Sequence, residues 1–217
     1  MTNVTHHISD ELLLAYAAGS LSEGWSLAIA THLALCPECR QRLAEAESVG
    51  GAMLEALQPE AVGADALEKV MGRLDNEPPA AKVESPVVAS AEPTIYPEPL
   101  RSYLGGGKGL RWRRLGTAQQ VRVFTGDQST TVRLLKIPGG QPMPVHGHRG
   151  LELTLVLSGS FSDEHGTFRR GDIEEADEEI EHQPIADPGE DCYCLAVTDA
   201  PLRFRGIARL LQPFLRI

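Results

Sequence analysis

Apolar and polar positions keep a helical rhythm through the first third of the chain. Ser9 stands ahead of Asp10 and Glu11, a capping hydroxyl and two acids suited to the positive end of a helix dipole. Leu12 to Ala18 follows, and Gly19 fits the stop. Ser22 opens a second helix that runs through Trp25 and Leu27 to about Leu35. Pro37 suits the first position of a third, which the pattern carries to about Val49, ahead of Gly50 and Gly51. A fourth helical stretch lies at Met53 to Leu57 or resumes at Asp65 to Leu74. Three or four short helices make a thin core, which a metal or a partner would reinforce.

Past residue 100 the rhythm shortens. Val121 to Thr125, Thr131 to Ile137, Glu152 to Leu157, Thr167 to Arg169 and Tyr193 to Val197 are strand-like runs. Gly and Pro punctuate them at 138–140, 158–160 and 187–190. Many short strands at close spacing predict a barrel or sandwich. The apolar end, Ile207 to Leu215, reads as a short helix or strand. Between the halves, residues 78–99 hold six prolines, too many for a helix, and read as an extended linker. The predicted organisation is a helical domain over 1–77, a linker over 78–99 and a β domain over 100–217.

Composition and charge add a direction. The chain has 217 residues, 42% hydrophobic and 23% charged, as expected of a globular protein, and its 5% aromatics imply an aliphatic core. The net charge of −10 sits mostly in the first third: residues 1–77 carry 12 acids against 4 bases, while 100–217 carry 15 of each. This balance argues against an undirected nucleic-acid binder and suits the helical module to a basic partner surface. The longest apolar run, Leu12 to Ala18, is far short of a bilayer span. The start, MTNVTHH, has no basic stretch followed by an apolar one. A cytoplasmic protein without a membrane association is expected.

Two constellations carry candidate chemistry. His32, Cys36 and Cys39 form H-x3-C-x2-C, with His32 and Cys36 four apart on one helical face and Cys39 a turn into the next helix. Zinc prefers such imidazoles and thiolates in a tetrahedral set, and a fourth ligand is available just ahead of the first helix from His6 or His7, of which His7 is taken. A Cys36–Cys39 disulfide is the redox alternative, disfavoured in a reducing compartment. In the β part, Gly140, His146, His148, Glu152 and Gly159 form G-x5-H-x-H-x3-E-x6-G. His146, His148 and Glu152 share parity, so along one strand they would face one side and present two imidazoles and a carboxylate to a divalent metal.

The first helical module, with HHISDELLLAYAAGSLSE ahead of its H-x3-C-x2-C, resembles the zinc-binding anti-sigma domain. The second motif matches the cupin fold at every position. A second cupin motif, G-x5-P-x-G-x2-H-x3-N, is degraded: Gly171 and His182 stand in place, but Asp177, Glu179 and Ala186 replace the proline, the second glycine and the asparagine. His182 is thereby the implied fourth ligand. The run Asp172 to Glu181 holds seven acids in ten residues and reads as a solvated loop.

Taken together, the halves resemble ChrR-type zinc-binding anti-sigma factors. The resemblance extends to PVHGHRGLELTLVLSG and DCYCLAVTDAPLRF and implies an α+β, multidomain chain: a small all-α zinc-binding domain followed by an all-β cupin barrel (double-stranded β-helix). It implies a regulator, not an enzyme, that inhibits an extracytoplasmic-function sigma factor. Zinc would sit at His7, His32, Cys36 and Cys39. Zinc or another divalent transition metal would sit at His146, His148, Glu152 and His182. The cupin would serve the response to oxidative stress of the singlet-oxygen type, without direct nucleic-acid binding. The alternative is a metal-dependent cupin dioxygenase or isomerase with an accessory zinc domain.

Three further features stay open in the sequence. Cys192 and Cys194, in the apolar run CYCLAV, face one side of a strand with Cα atoms about 6.6 Å apart. They are either inert buried thiols or a redox-sensing pair. Arg111, Arg113 and Arg114 around Trp112 form a small basic patch. Trp25 is read as a packing residue or a binding hot spot.

Overall fold

The structure, a computed structural model, describes residues 4–76, 95–105 and 110–204. Most of the expected linker and the apolar end Ile207 to Leu215 lie outside the described residues.

The helices are α1 (Asp10–Ala17), α2 (Glu23–Leu35), α3 (Pro37–Glu55), α4 (Ala66–Asn76) and α5 (Glu98–Tyr103). The Ser9 hydroxyl accepts from the Leu12 amide, as its position ahead of α1 predicts. Cys36 ends α2 and begins α3: its amide donates to the His32 carbonyl, and its sulfur accepts from the Cys39 amide. One residue thus turns the chain and satisfies exposed groups of both helices. Two boundaries differ from expectation. α3 continues through Gly50 and Gly51 to Glu55, because glycine in a helix costs only about 1 kcal/mol against alanine. The Pro-rich segment ends by starting α5, whose first turn tolerates Pro99 because that amide needs no helical partner.

The strands are β1 (Arg113–Leu115), β2 (Ala118–Val123), β3 (Thr131–Ile137), β4 (His146–Gly147), β5 (Glu152–Ser158), β6 (Ser160–Asp163), β7 (Gly166–Arg169), β8 (Ile173–Ala176), β9 (Glu181–His182), β10 (Ile185–Ala186), β11 (Cys192–Thr198) and β12 (Arg203–Phe204). All pairings are antiparallel. A six-stranded sheet runs β1-β2-β3-β11-β5-β8. Two three-stranded sheets, β10-β6-β7 and β12-β4-β9, complete the β part. No helix among the described residues is long and apolar enough to cross a membrane.

The large sheet is covered on both faces. On one face Leu134, Leu153, Leu155, Leu195 and Val197 share a continuous apolar core with Leu13, Trp25, Leu27 and Ile29 of the helices. On the other, Ile137, Val156, Phe161, Phe168, Cys192 and Cys194 form a second core inside the β part. β5 is therefore buried along almost its whole length, and its leucines point away from the interior of the β part, toward the helices. α2 is buried on most of its circumference because it lies between α1 and α3 on one side and β5 and β11 on the other. Trp25 is a core residue of this junction, 8% exposed. Gly24 marks the closest approach: a Cβ there would sit 2.1 Å from Thr130 Oγ1 and 3.0 Å from Val132 Cγ2.

Polar contacts border the shared core. Asp127 accepts from the Glu23 amide at 2.6 Å, at the start of α2, and the Glu23 carboxylate accepts from the Gly126 amide and, at 2.7 Å, from the Tyr103 hydroxyl. Helical module and β part are thus packed together over apolar surface, not merely strung along one chain.

Candidate metal centres

The first cluster is held by three elements that the Cys36 turn and the segment ahead of α1 bring together. Ligand atoms of His7, His32, Cys36 and Cys39 all lie within 4.8 Å of one another. His7 Nδ1 is 3.3 Å from Cys36 Sγ and 3.5 Å from Cys39 Sγ. His32 and both cysteines are wholly buried, and neither ring nitrogen of His32 makes a hydrogen bond of good geometry among the described residues, the Gly171 backbone being a distant or poorly aligned partner. A fully buried imidazole with two unsatisfied nitrogens is costly unless something else binds it. Burial holds the His32 imidazolium down to about 4, so the ring is neutral, and pushes the Cys39 thiol up to about 11. The neutral His32 ring, the His7 ring and two buried sulfurs at this spacing fit a thiophilic divalent cation, which would draw the thiols into their thiolate form.

His6 goes elsewhere. Its ring packs on Phe168 with centroids 4.3 Å apart, and its Nδ1 lies 3.6 Å from Asp172 Oδ2. His7 Nε2 lies 3.3 Å from Glu38. Of the two histidines left open by the sequence, the structure places His7 at the sulfurs.

The second cluster, His146, His148, Glu152 and His182, is also mutually within 4.8 Å and entirely buried. Shared parity on one strand is not how the first three meet: β4 ends at Gly147 and β5 starts at Glu152, so the chain breaks between His148 and Glu152. The break leaves their approach to tertiary structure. His146 faces His182 across the β4–β9 pair and Phe204 across β4–β12. His182 Nε2 is 3.3 Å from both His146 Nε2 and His148 Nε2.

The outer nitrogens set the tautomers. His146 Nδ1 donates to the Pro144 carbonyl at 2.8 Å, and His182 Nδ1 to Asp163 Oδ2 at 2.8 Å and Glu174 Oε1 at 3.2 Å. In the neutral form of each ring Nε2 is left as an inward-facing acceptor, which for His182 requires that its Nε2 proton be given up to a bound metal. Burial lowers His146, and lowers His148 to about 4. For His182 burial acts the same way but loses to its hydrogen bond with Glu174 and the neighbouring carboxylates, which raise it to about 9. Burial raises the Glu174 carboxyl to about 7. Three converging nitrogens and the Glu152 carboxylate, steadied by a hydrogen bond from Thr154 Oγ1 at 3.1 Å, fit a divalent transition metal.

The acidic run Asp172 to Glu181 is not a solvated loop. Its first half is β8, and Asp172 and Glu174 are 1% and 5% exposed. Asp172 accepts from the amides of Thr5 at 2.6 Å, His6 at 3.0 Å and Arg169 at 2.8 Å. Glu174 holds His182, and Glu175 accepts from the Ser9 amide at 2.7 Å. Tertiary donors, invisible in a run of acids, override its polarity. Only Asp177, Glu178, Glu179 and Glu181 are exposed, and at the first three the Asp177 side chain accepts from the Glu179 amide at 2.9 Å. That Asx turn does the work of the missing Pro-Gly.

Sequence reasoning missed Asp163, Asp172 and Glu174. Alternation in Asp172-Ile173-Glu174 is the one signal that could have found the last two; nothing local marks Asp163. Cys192 and Cys194 are buried free thiols with sulfurs 3.4 Å apart. The mutual hydrogen bond, then burial, pushes the Cys194 thiol well above its ordinary value. Arg111, Arg113 and Arg114 are exposed, and Trp112 meets Tyr193 edge-on at 6.1 Å.

Comparison with known proteins agrees with this architecture. Residues 107–201 match the family described as ChrR Cupin-like domain. The chain is 49% identical over 216 residues to the anti-sigma-E factor ChrR of Cereibacter sphaeroides, covering 99% of each. It is also similar to a chain in the crystal structure of Rhodobacter sphaeroides SigE in complex with the anti-sigma ChrR. That match has a TM-score of 0.77 and 47% identity, and covers 91% of this chain and 100% of the other.

Proposed function

This chain belongs to the ChrR family of anti-sigma factors, and from that premise we propose that its helical module, residues 1–77, binds an extracytoplasmic-function sigma factor and blocks its access to RNA polymerase and promoter. Occlusion needs surface and no chemistry. The observation that carries this reading is the apolar face left uncovered on α4. Leu67, Val70, Met71 and Leu74 follow i, i+3, i+4, i+7 spacing and are between 50% and 74% exposed. Val49, Met53 and Leu54 at the end of α3 add 63–71% exposed apolar residues. Such patches mark interaction sites, and this one sits on a strongly acidic module that complements a DNA-binding partner.

Zinc at His7, His32, Cys36 and Cys39 would tie the segment before α1 to the α2–α3 turn, keeping the module in binding shape. The β part would act in the response to oxidative stress, through its metal cluster and Cys192 and Cys194. β8 is the contact through which a change there would reach the module: Glu174 touches His182, while Asp172 and Glu175 hold residues 5, 6 and 9.

The test is co-purification of the full chain with its sigma factor. Val70→Asp with Met71→Asp is expected to abolish capture while metal content and thermal unfolding stay as in the parent. Undiminished capture overturns the reading.

A further inference from the structure

Three adjacent strands of the large sheet change character in step along one face. Alternate positions of β3 run Arg133, Leu135, Ile137; those of β11 run Thr198, Ala196, Cys194, Cys192; those of β5 run Glu152, Thr154, Val156. Register sets them side by side. Thr198 pairs with Glu152, Ala196 with Arg133 and Thr154, Cys194 with Leu135 and Val156, and Cys192 with Ile137. One face is therefore polar at one end and apolar at the other, and the gradient belongs to three strands, not to one residue.

Against that face the β part encloses a cavity of about 430 Å³ with mainly apolar walls. Met143, Phe161 and Phe204, from outside the large sheet, complete its lining. Met143 packs on the core that holds Ile137, Val156 and Phe161, so it marks the apolar end. The volume lies within the range of small-molecule sites. It is nearly three times that of the roughly 150 Å³ apolar cavities that take up benzene, which leaves room for about ten carbons.

The charged groups at the polar end are answered from within the protein. Glu152 acts on Arg133 as a counter-charge and accepts from Thr154 Oγ1 at 3.1 Å, and His146 Nδ1 donates to the Pro144 carbonyl at 2.8 Å. A charged ligand would be stripped of water here without a charge of its own to meet. A hydroxyl or carbonyl oxygen is cheaper to bury beside threonine hydroxyls, and the apolar end rewards a hydrocarbon body.

We infer that this cavity is a binding site for an uncharged medium-chain amphiphile of the fatty alcohol or ketone kind. Its oxygen lies at the Thr154 and Thr198 end and its chain runs toward Ile137, Met143 and Phe161. The site goes beyond the regulatory reading above and is separate from the sigma-binding face on α4.

The test is calorimetric titration of the full chain with 1-hexanol, 1-octanol, 1-decanol and 1-dodecanol, each below its solubility limit, and with octanoate as the charged control. Saturable binding at one site is expected. Affinity should rise about fourfold per added methylene and level off at about ten carbons, where the cavity is full. Octanoate should bind at least about tenfold more weakly than 1-octanol. Met143→Trp fills the apolar end and should abolish binding of 1-octanol. Met143→Ala enlarges that end and should move the ceiling to a longer chain; it decides the matter if Met143→Trp does not fold. Val70→Asp with Met71→Asp should change none of this. The proposal is overturned by absence of saturable 1-octanol binding, by octanoate binding as tightly as 1-octanol, or by an unbroken rise through 1-dodecanol. It is also overturned if neither Met143 variant alters binding, or if the α4 variant removes it, which would put the alcohols on that exposed face.

Discussion

His6 and His7 are neighbours in the chain and serve different halves of the molecule. His7 Nδ1 lies 3.3 Å from Cys36 Sγ, while the His6 ring packs, tilted, on Phe168 of the β part with centroids 4.3 Å apart. The extended segment from Val4 to Ile8 is therefore gripped from both sides. The Ile173 amide donates to the His6 carbonyl at 3.3 Å, and Gly171, with φ +96°, comes so close to Val4 that a Cβ there would lie 2.7 Å from Val4 Cγ2. Only glycine suits both that backbone angle and that approach.

Removing the sulfurs tests the first cluster. Cys36→Ser with Cys39→Ser is expected to lose its metal, keep that of the second cluster, and lose sigma-factor capture at the same time. Metal binding of this kind contributes folding free energy on the order of 10 kcal/mol in small zinc modules. Elemental analysis of the variant alongside the capture assay checks it; inhibition retained without the metal would refute the structural role.

Asp172→Ala should loosen the grip on residues 5 and 6. Two short amide-to-carboxylate bonds to the module disappear, at about 2–3 kcal/mol. Hydrogen exchange at Thr5 and His6 should accelerate, and the chain should unfold at lower denaturant. The pH dependence has a definite sign. Burial alone would raise the Asp172 carboxyl, but the Arg169, Thr5 and His6 amides hold it below its usual value of 3.8. A depressed folded value means the contribution is complete above 3.8 and disappears as pH falls through the lower folded value. Parent and Asp172→Ala should therefore differ in stability at neutral pH and converge in strong acid.

Gly24→Ala drives a methyl group into Thr130 and Val132, where α2 meets β3. A loss of about 1–3 kcal/mol is expected. Thr130→Ala removes the nearest obstacle, and the Thr130 hydroxyl has no hydrogen-bond partner to lose among the described residues. The double variant should thus recover part of the stability in urea unfolding. Equal stability of Gly24→Ala and the parent would mean that α2 is not seated as closely as described.

Glu174→Gln and Asp163→Asn address His182 from behind. Each weakens the hold on the Nδ1 proton that leaves Nε2 directed inward, so affinity at the second cluster should fall by roughly 10- to 100-fold. Competition with a chromophoric chelator measures it. The first cluster should keep its metal, which separates a positioning effect from general unfolding.

Excision of residues 100–217 should do more than remove a tethered neighbour. Leu27, Ala28 and Ile29, now 0–4% exposed, share their core with Leu153, Leu155 and Leu195. The 1–77 fragment should unfold at lower temperature than the module does within the whole chain, as followed by circular dichroism.

Much of this was legible in the chain itself, wherever the information was local. Ser9 as a cap, the α2–α3 turn at Cys36 and Pro37, β3 over Thr131 to Ile137, and the groupings His32–Cys36–Cys39 and His146–His148–Glu152 all follow from propensity and spacing over a few residues, whereas His182 was implied only by the cupin resemblance. Other features were not local and were decided by packing. The leucines of β5 alternate with Glu152 and Thr154, and alternation says only that two faces differ; the helices docked outside make the leucine face the covered one. His6 and His7 are chemically identical candidates, and their roles separate only because Phe168 and Asp172 arrive from far along the chain. The acids of Asp172 to Glu181 looked solvated because charge is costly to bury without partners, and those partners are the amides of residues 5, 6 and 9 and the ring of His182. Composition and spacing determined which residues could act; long-range contacts decided which face, which tautomer and which neighbour each one received.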